Sequence, residues 1–239
     1  MLLCLTACGS PDTTSTTEPE SQETAEPTSD NSGVIDNRTT EEDATEDQAQ
    51  QENASFSDDD FTKEAYMYEN RYGDTFYFLA ITNNSNASVE IGANGIAKDA
   101  TGNMIGADDF EIDVLGPGEQ SIGYFVFDDV SGVASVDYDI NYAASSYYDP
   151  VIADLELQYT INNQNVVVSV TNNGDKKAEY VKAYALFFDA NGGVVDYDSG
   201  YVVDNDNELK PGKTLVEQLD TRDGFDNVKV FLSGRRYNR

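Results

Sequence analysis

The chain states one pattern twice. Residues 75–84 (TFYFLAITNN) are answered by residues 164–173 (QNVVVSVTNN), 89 positions later. Asp99-Ala100-Thr101-Gly102 is answered by Asp189-Ala190-Asn191-Gly192 at an offset of 90, and Leu115-Gly116-Pro117-Gly118-Glu119 by Leu209-Lys210-Pro211-Gly212-Lys213 at 94. Three landmarks in the same order, drifting only by loop length, imply an internal duplication. The repeats are expected over residues 61–149 and 150–239, joined near Asp149-Pro150.

Each repeat is read as strands. Tyr, Phe, Val and Ile alternate in short runs broken by Asn, Gly, Asp and Pro, and no stretch keeps a helical period. A hairpin is expected over 64–69 and 75–83 in one copy, and over 155–161 and 166–172 in the other. Long strands follow over 89–99 and 179–189, then 120–128 and 214–219, then 134–142 and 226–232. Asp and Gly close the turn after each long strand, supplying local hydrogen bonds and a left-handed backbone. With period two, Tyr77, Leu79 and Ile81 share one face, as do Val166, Val168 and Val170, and these are the expected core. Six or seven short strands without a helix predict an all-β chain of two tandem immunoglobulin-like sandwiches.

The N-terminus has a different character. Leu5-Thr6-Ala7-Cys8 has the apolar–small–small–Cys order of a bacterial lipobox, and residues 1–8 are read as the end of a lipoprotein signal. Cys8 is then the lipidated residue, and its acyl chains are the link to the membrane on the extracytoplasmic side. Met1 to Ala7 is short for a signal sequence, so the start is expected to lie upstream. Residues 9–60 are rich in Ser, Thr, Glu, Asp and Gln, with no aromatic before Phe56. Such a segment buries too little apolar surface to offset ordering, and is expected to be a disordered acidic linker. Fully extended, some 50 residues reach roughly 170 Å at ~3.3 Å each. Much of the net charge of −31 is assigned to this spacer.

The charge argues against nucleic acid as a partner, because phosphate binding needs clustered Lys and Arg. Both cysteines lie in the first eight residues and there is no histidine. That removes histidine-dependent triads, thiol nucleophiles and the usual zinc sites, and no cofactor is implied.

Each repeat resembles the FxLYD-type module of bacterial surface lipoproteins. The resemblance lies in Thr171-Asn172-Asn173, in Ala185-Leu186-Phe187-Phe188-Asp189 with Ala190, Asn191 and Gly192 after it, and in Leu209-x-Pro211-Gly212-Lys213. Phe187-Phe188-Asp189 stands where the family has Leu-Tyr-Asp, and Ala185 replaces the leading Phe. The first copy keeps only the Asp of Gly95-Ile96-Ala97-Lys98-Asp99. The resemblance implies an immunoglobulin-like fold and a surface location. It supplies no catalytic residue and names no ligand.

Other motifs weigh less. Gly212-Lys213-Thr214 ends like a phosphate loop, but Asn207 stands where its first Gly belongs, so it is read as a turn opening a strand. Asp108-Asp109, Asp128-Asp129 and Asp204-Asn205-Asp206-Asn207-Glu208 are read as turns; Asp204, Asp206 and Glu208 form a calcium candidate without the spacing of an EF-hand. Tyr138, Tyr142, Tyr147 and Tyr148 crowd the junction. On the long strand of the second repeat, Tyr184, Leu186 and Phe188 alternate with Val181, Ala183, Ala185 and Phe187. One face of that strand is expected to fill its sandwich and the other to pack on the neighbouring repeat. In the alternative, Tyr184, Phe188, Tyr147 and Tyr148 offer a face to an envelope protein or glycan. Arg235, Arg236 and Arg239 are read as a solvated basic tail.

The reading is therefore a lipid-anchored, non-catalytic protein of the cell envelope that displays two modules for binding. The alternative is an enzyme or accessory subunit acting on wall glycans through carboxylates.

Overall fold

The computed structural model describes residues 55–238. Cys8, the lipobox, most of the expected linker and Arg239 lie outside the described residues. Among the described residues the fold is all-β, with two single turns of 3-10 helix at Asp58–Asp60 and Ile152–Asp154.

The first repeat contains β1 (Phe61–Glu69), β2 (Thr75–Asn83), β3 (Val89–Lys98), β4 (Met104–Leu115), β5 (Gln120–Phe127) and β6 (Ser135–Ala144). These form two antiparallel sheets, β1-β2-β5 and β4-β3-β6. After the short β7 (Tyr148–Asp149), the second repeat runs β8 (Leu155–Ile161), β9 (Asn165–Asn172), β10 (Ala178–Phe188), β11 (Val194–Tyr201), β12 (Glu208–Leu209), β13 (Thr214–Asp220) and β14 (Asn227–Tyr237). Its sheets are β13-β9-β8 and β11-β10-β14-β7, with β12 on the start of β10. Strand for strand the order repeats: two antiparallel sheets of an immunoglobulin-like sandwich, built twice.

The three sequence landmarks are one device. Asn83 is buried; its Nδ2 donates to the carbonyls of Ala87 and Leu115, both at 2.9 Å. Its backbone exchanges hydrogen bonds with Glu119 and Gly118 of the Leu-x-Pro-Gly turn. Asn172 repeats this, donating to Lys176 and Leu209 and pairing its backbone with Lys213 and Gly212. Gly118 and Gly212 hold φ of 75° and 68°, which glycine adopts without strain. In the third landmark the Asp99 carboxylate accepts from the Thr101 and Asn103 N–H groups, and Asp189 from those of Asn191 and Gly193.

Two cores fill the sandwiches. Leu79, Ile81, Ile91, Leu115 and Phe125 centre the first, and Val166, Val168, Val170, Phe187 and Leu219 the second. Of the expected core positions only Tyr77 sits at a margin, partly exposed beside Phe125 and Tyr138. Glycine at position 95, where the second copy has Ala185, has a packing cause. A Cβ on Gly95 would stand 2.9 Å from the Phe125 ring. The second copy pairs the bulkier Ala185 with the smaller Leu219 at the matching positions.

The repeats do not sit as beads on a string. The outer face of β1-β2-β5 packs on the outer face of β11-β10-β14, so the four sheets form one stack. Phe76, Phe78, Ala80 and Ile122 meet Leu186, Phe188 and Phe231 in a third apolar cluster, here called the seam. Both faces of β2 and β10 are therefore buried, as the sequence expects for β10.

Several expectations need correction. The folded part begins before residue 61: Phe56 packs on Phe61 at 6.1 Å, and Asp58 pairs with Lys63 at 2.6 Å. Strands β4 and β11 were not expected, because Asp and Gly interrupt them; Asp108 and Asp109 lie within β4 rather than in a turn. Residues 9–60 hold 16 acidic side chains against one basic, so about half of the net charge of −31 lies in the spacer and the rest on residues 61–239. Tyr142 is not at the junction; it stacks on Phe61 at 4.0 Å, and Tyr138 lies beside Tyr77. Arg235 and Arg236 are not a solvated tail. They belong to β14, with side chains 20% and 12% exposed, and pair with Asp113 and Asp154.

Candidate functional site

The seam positions the site. Strand β10 carries a bulge opposite β14 between Glu179 and Lys182. Within it Tyr180 holds φ of 53°, in the left-handed region that a bulky residue rarely occupies. Its N–H donates to the Asn207 carbonyl at 3.0 Å, and Asn207 is itself left-handed at φ 62°. The bulge turns Tyr180 over Arg235: the guanidinium lies 4.7 Å from the Tyr180 ring and 4.5 Å from that of Tyr148.

Beside this stack, where β4 and β5 of the first repeat meet β10 and β14 of the second, is a cleft of about 180 Å³. Tyr180, Tyr184, Tyr201, Lys182 and Arg235 form one wall, with Glu111 and Asp113 across from them. The Lys182 Nζ lies 4.8 Å from the Tyr184 ring and 5.4 Å from that of Tyr201. Burial holds its amine below the usual lysine range, although Asp198 pulls the other way. The guanidinium of Arg235 is paired with Asp113 across the seam, yet its buried Nε has no hydrogen-bond partner.

Two further hollows follow the same seam. One of about 330 Å³ lies between the Pro117-Gly118 turn and Leu155, Leu157 and Leu232. Its buried acid is Glu119, whose carboxylate accepts from Gly116 N–H at 2.8 Å and from Ala153 N–H at 2.7 Å. Burial pushes this carboxyl above the usual range, while the N–H donors oppose the shift. Glu119 thus ties the first repeat to the start of the second. The other hollow, of about 410 Å³, is lined by Tyr66, Phe188 and Lys229. Its lysine is already engaged by Glu64 and by the Tyr66 hydroxyl at 2.6 Å.

The sequence-derived candidates separate cleanly. Phe188 is buried in the seam and Tyr184 is half-buried there, so neither offers a free outer face. Tyr147 is 62% exposed and joins Tyr148 and Tyr237 in an aromatic cluster at the junction. The calcium candidate forms no cage: Asp206 pairs with Lys210 and Glu208 with Lys177. Among the described residues no group of three acidic side chains is placed to hold a metal. Sequence reasoning did not single out Lys182, Tyr180 or Tyr201; the only available signal was a cation among tyrosines on a strand buried on both faces.

No family model and no curated protein matches the chain. Among solved structures, a transglutaminase from red sea bream is similar at 11% sequence identity and a TM-score of 0.25, over 73% of this chain and 29% of that one. The chain spans under a third of that protein's length, and a likeness at this level carries no argument about activity.

Proposed function

We propose that this is a lipid-anchored protein of the extracytoplasmic membrane face that displays two immunoglobulin-like modules, of the FxLYD type, as one binding unit. The observation that carries the binding reading is the joined seam. It packs the two sandwiches against each other and leaves between them a cleft walled by tyrosines and an unpaired lysine. Clefts between domains are common ligand sites. Tyrosine supplies broad amphipathic contact at low entropy cost. Of the two carboxylates at the cleft, Asp113 neutralises Arg235 and only Glu111 faces it without an ion-pair partner. The address rests on Leu5-Thr6-Ala7-Cys8 and on the polar segment after it. No helix among the described residues is long and apolar enough to cross a membrane.

Cells expressing the full chain should be labelled with an alkyne fatty acid. The expected result is label and membrane fractionation for the native protein, with neither for Cys8→Ser, which is released. Membrane retention of Cys8→Ser would overturn the anchoring.

A further inference from the structure

We propose that the seam cleft binds a single sugar ring carrying a carboxylate, with Lys182 meeting the charge. The proposal deepens the binding reading above and rests on it.

Twelve lysines and arginines lie among the described residues, and seven of them form ion pairs with acids. Of the other five, Arg71, Lys176, Lys213 and Arg222 are exposed, where water satisfies them. Lys182 is the exception: half-buried, unpaired, and inside a folded part with 32 acidic side chains. The Tyr184 and Tyr201 rings offset part of its desolvation through their π faces. They accept none of its N–H bonds. The acid whose charge it feels, Asp198, uses its oxygens on the N–H groups of Ser199 and Asp220, both at 2.8 Å. Donors withdrawn from water are rarely left without acceptors, so the half-buried Lys182 ammonium at the cleft points to an oxygen supplied from outside.

Backbone strain gives independent support. A tyrosine in the left-handed region costs of order 1–3 kcal/mol, and such residues cluster where function holds them. Here the strain sets Tyr180 at the cleft, on the Arg235 guanidinium.

The lining selects the ligand. Tyr180, Tyr184 and Tyr201 line the cleft together with Lys182 and Glu111, a mix of aromatic and polar groups that matches a sugar ring with apolar faces and polar edges. Glu111, exposed across the cleft, repels a second negative charge and accepts from a hydroxyl. This favours one carboxylate over a phosphate dianion. At about 180 Å³ the cleft lies below the ~300–1,000 Å³ of drug-sized sites, which restricts it to one ring.

The full chain should be titrated with glucuronate, glucose, acetate and inorganic phosphate at one ionic strength, followed by amide chemical shifts and calorimetry. Saturable glucuronate binding is expected, at least tenfold tighter than glucose, acetate or phosphate, with shifts at Tyr180, Lys182 and Tyr201. Lys182→Met should weaken glucuronate at least tenfold, leave glucose unchanged and keep the native melting curve. Lys182→Arg should restore part of the binding. Absence of saturable glucuronate binding would overturn the proposal, as would parity with glucose, tighter phosphate binding, or an unchanged affinity in Lys182→Met. The anchoring fails separately, through membrane retention of Cys8→Ser.

Discussion

Asn83 and Asn172 show how much a single amide can organise. Each satisfies a carbonyl four residues on in its own loop and a buried carbonyl, of Leu115 or Leu209, distant in sequence. Asn172→Ala leaves the buried Leu209 carbonyl without this donor. Because an unsatisfied buried group costs about 1–3 kcal/mol, urea unfolding should show a loss of about 2–3 kcal/mol. The repeated Thr-Asn-Asn was legible as a landmark. Its stapling role was not, since its partners are carbonyls, which every residue has. Asp99 is the titrating counterpart. Hydrogen bonds, first from the Thr101 hydroxyl and then from Asn103, hold its carboxyl at about 2. That lies below the ~3.9 of an unfolded chain, so the ionised group stabilises the fold above the unfolded value. This contribution is lost as pH falls through about 2. Carbon-detected NMR should place the Asp99 midpoint near 2, and Asp99→Asn should flatten that part of the stability profile.

Strands explain both what was readable and what was hidden. Alternation placed Val168 correctly because the half-buried β9 writes its period into the sequence, and the matching landmark carried that assignment over to Leu79 and Ile81 of β2. In β4 the hydrophobic residues Phe110, Ile112 and Val114 also alternate, but Asp108 and Asp109 masked the strand, and the Asp108 carboxylate in fact accepts from the Val126 N–H of β5. In β2 the face of Phe76, Phe78 and Ala80 is as buried as the core face. Apolar residues on both faces signal two coverings without saying what the second one is, so the seam was legible only as an option. The packing between strands is equally specific. A side chain on Gly123 of β5 would collide with the Phe110 ring. Gly123→Ala should therefore destabilise the first repeat by about 1–3 kcal/mol, the usual cost of overpacking, measured by urea unfolding. An unchanged midpoint would show that the ring moves freely.

At the scale of the whole molecule the seam governs behaviour. It couples the sandwiches through Phe78 and Phe188, through Ser121 Oγ donating to the Leu232 carbonyl at 2.9 Å, and through Arg235 with Asp113. Calorimetry should show one unfolding transition for both repeats. Phe78→Ala should cost about 3–5 kcal/mol, as buried Phe truncations do, and should broaden or split that transition. A sharp single transition in the variant would place the coupling elsewhere. The cleft belongs to this scale as well: its walls come from strands far apart in the chain. Lys182 and Asp113 could not be paired by sequence reasoning, because their proximity is a property of how two finished sandwiches meet.

The burial of both faces of β2 and β10 also has a hereditary consequence. Duplication ordinarily leaves copies that later generations can lose or shuffle one at a time. Here each copy has surrendered an outer face, so deleting one would bare Phe76 and Phe78, or Leu186, Phe188 and Phe231. With these residues packed between the sheets, loss of either copy would turn the other's covered face into an exposed apolar surface, so the pair is the smallest unit that keeps both faces covered.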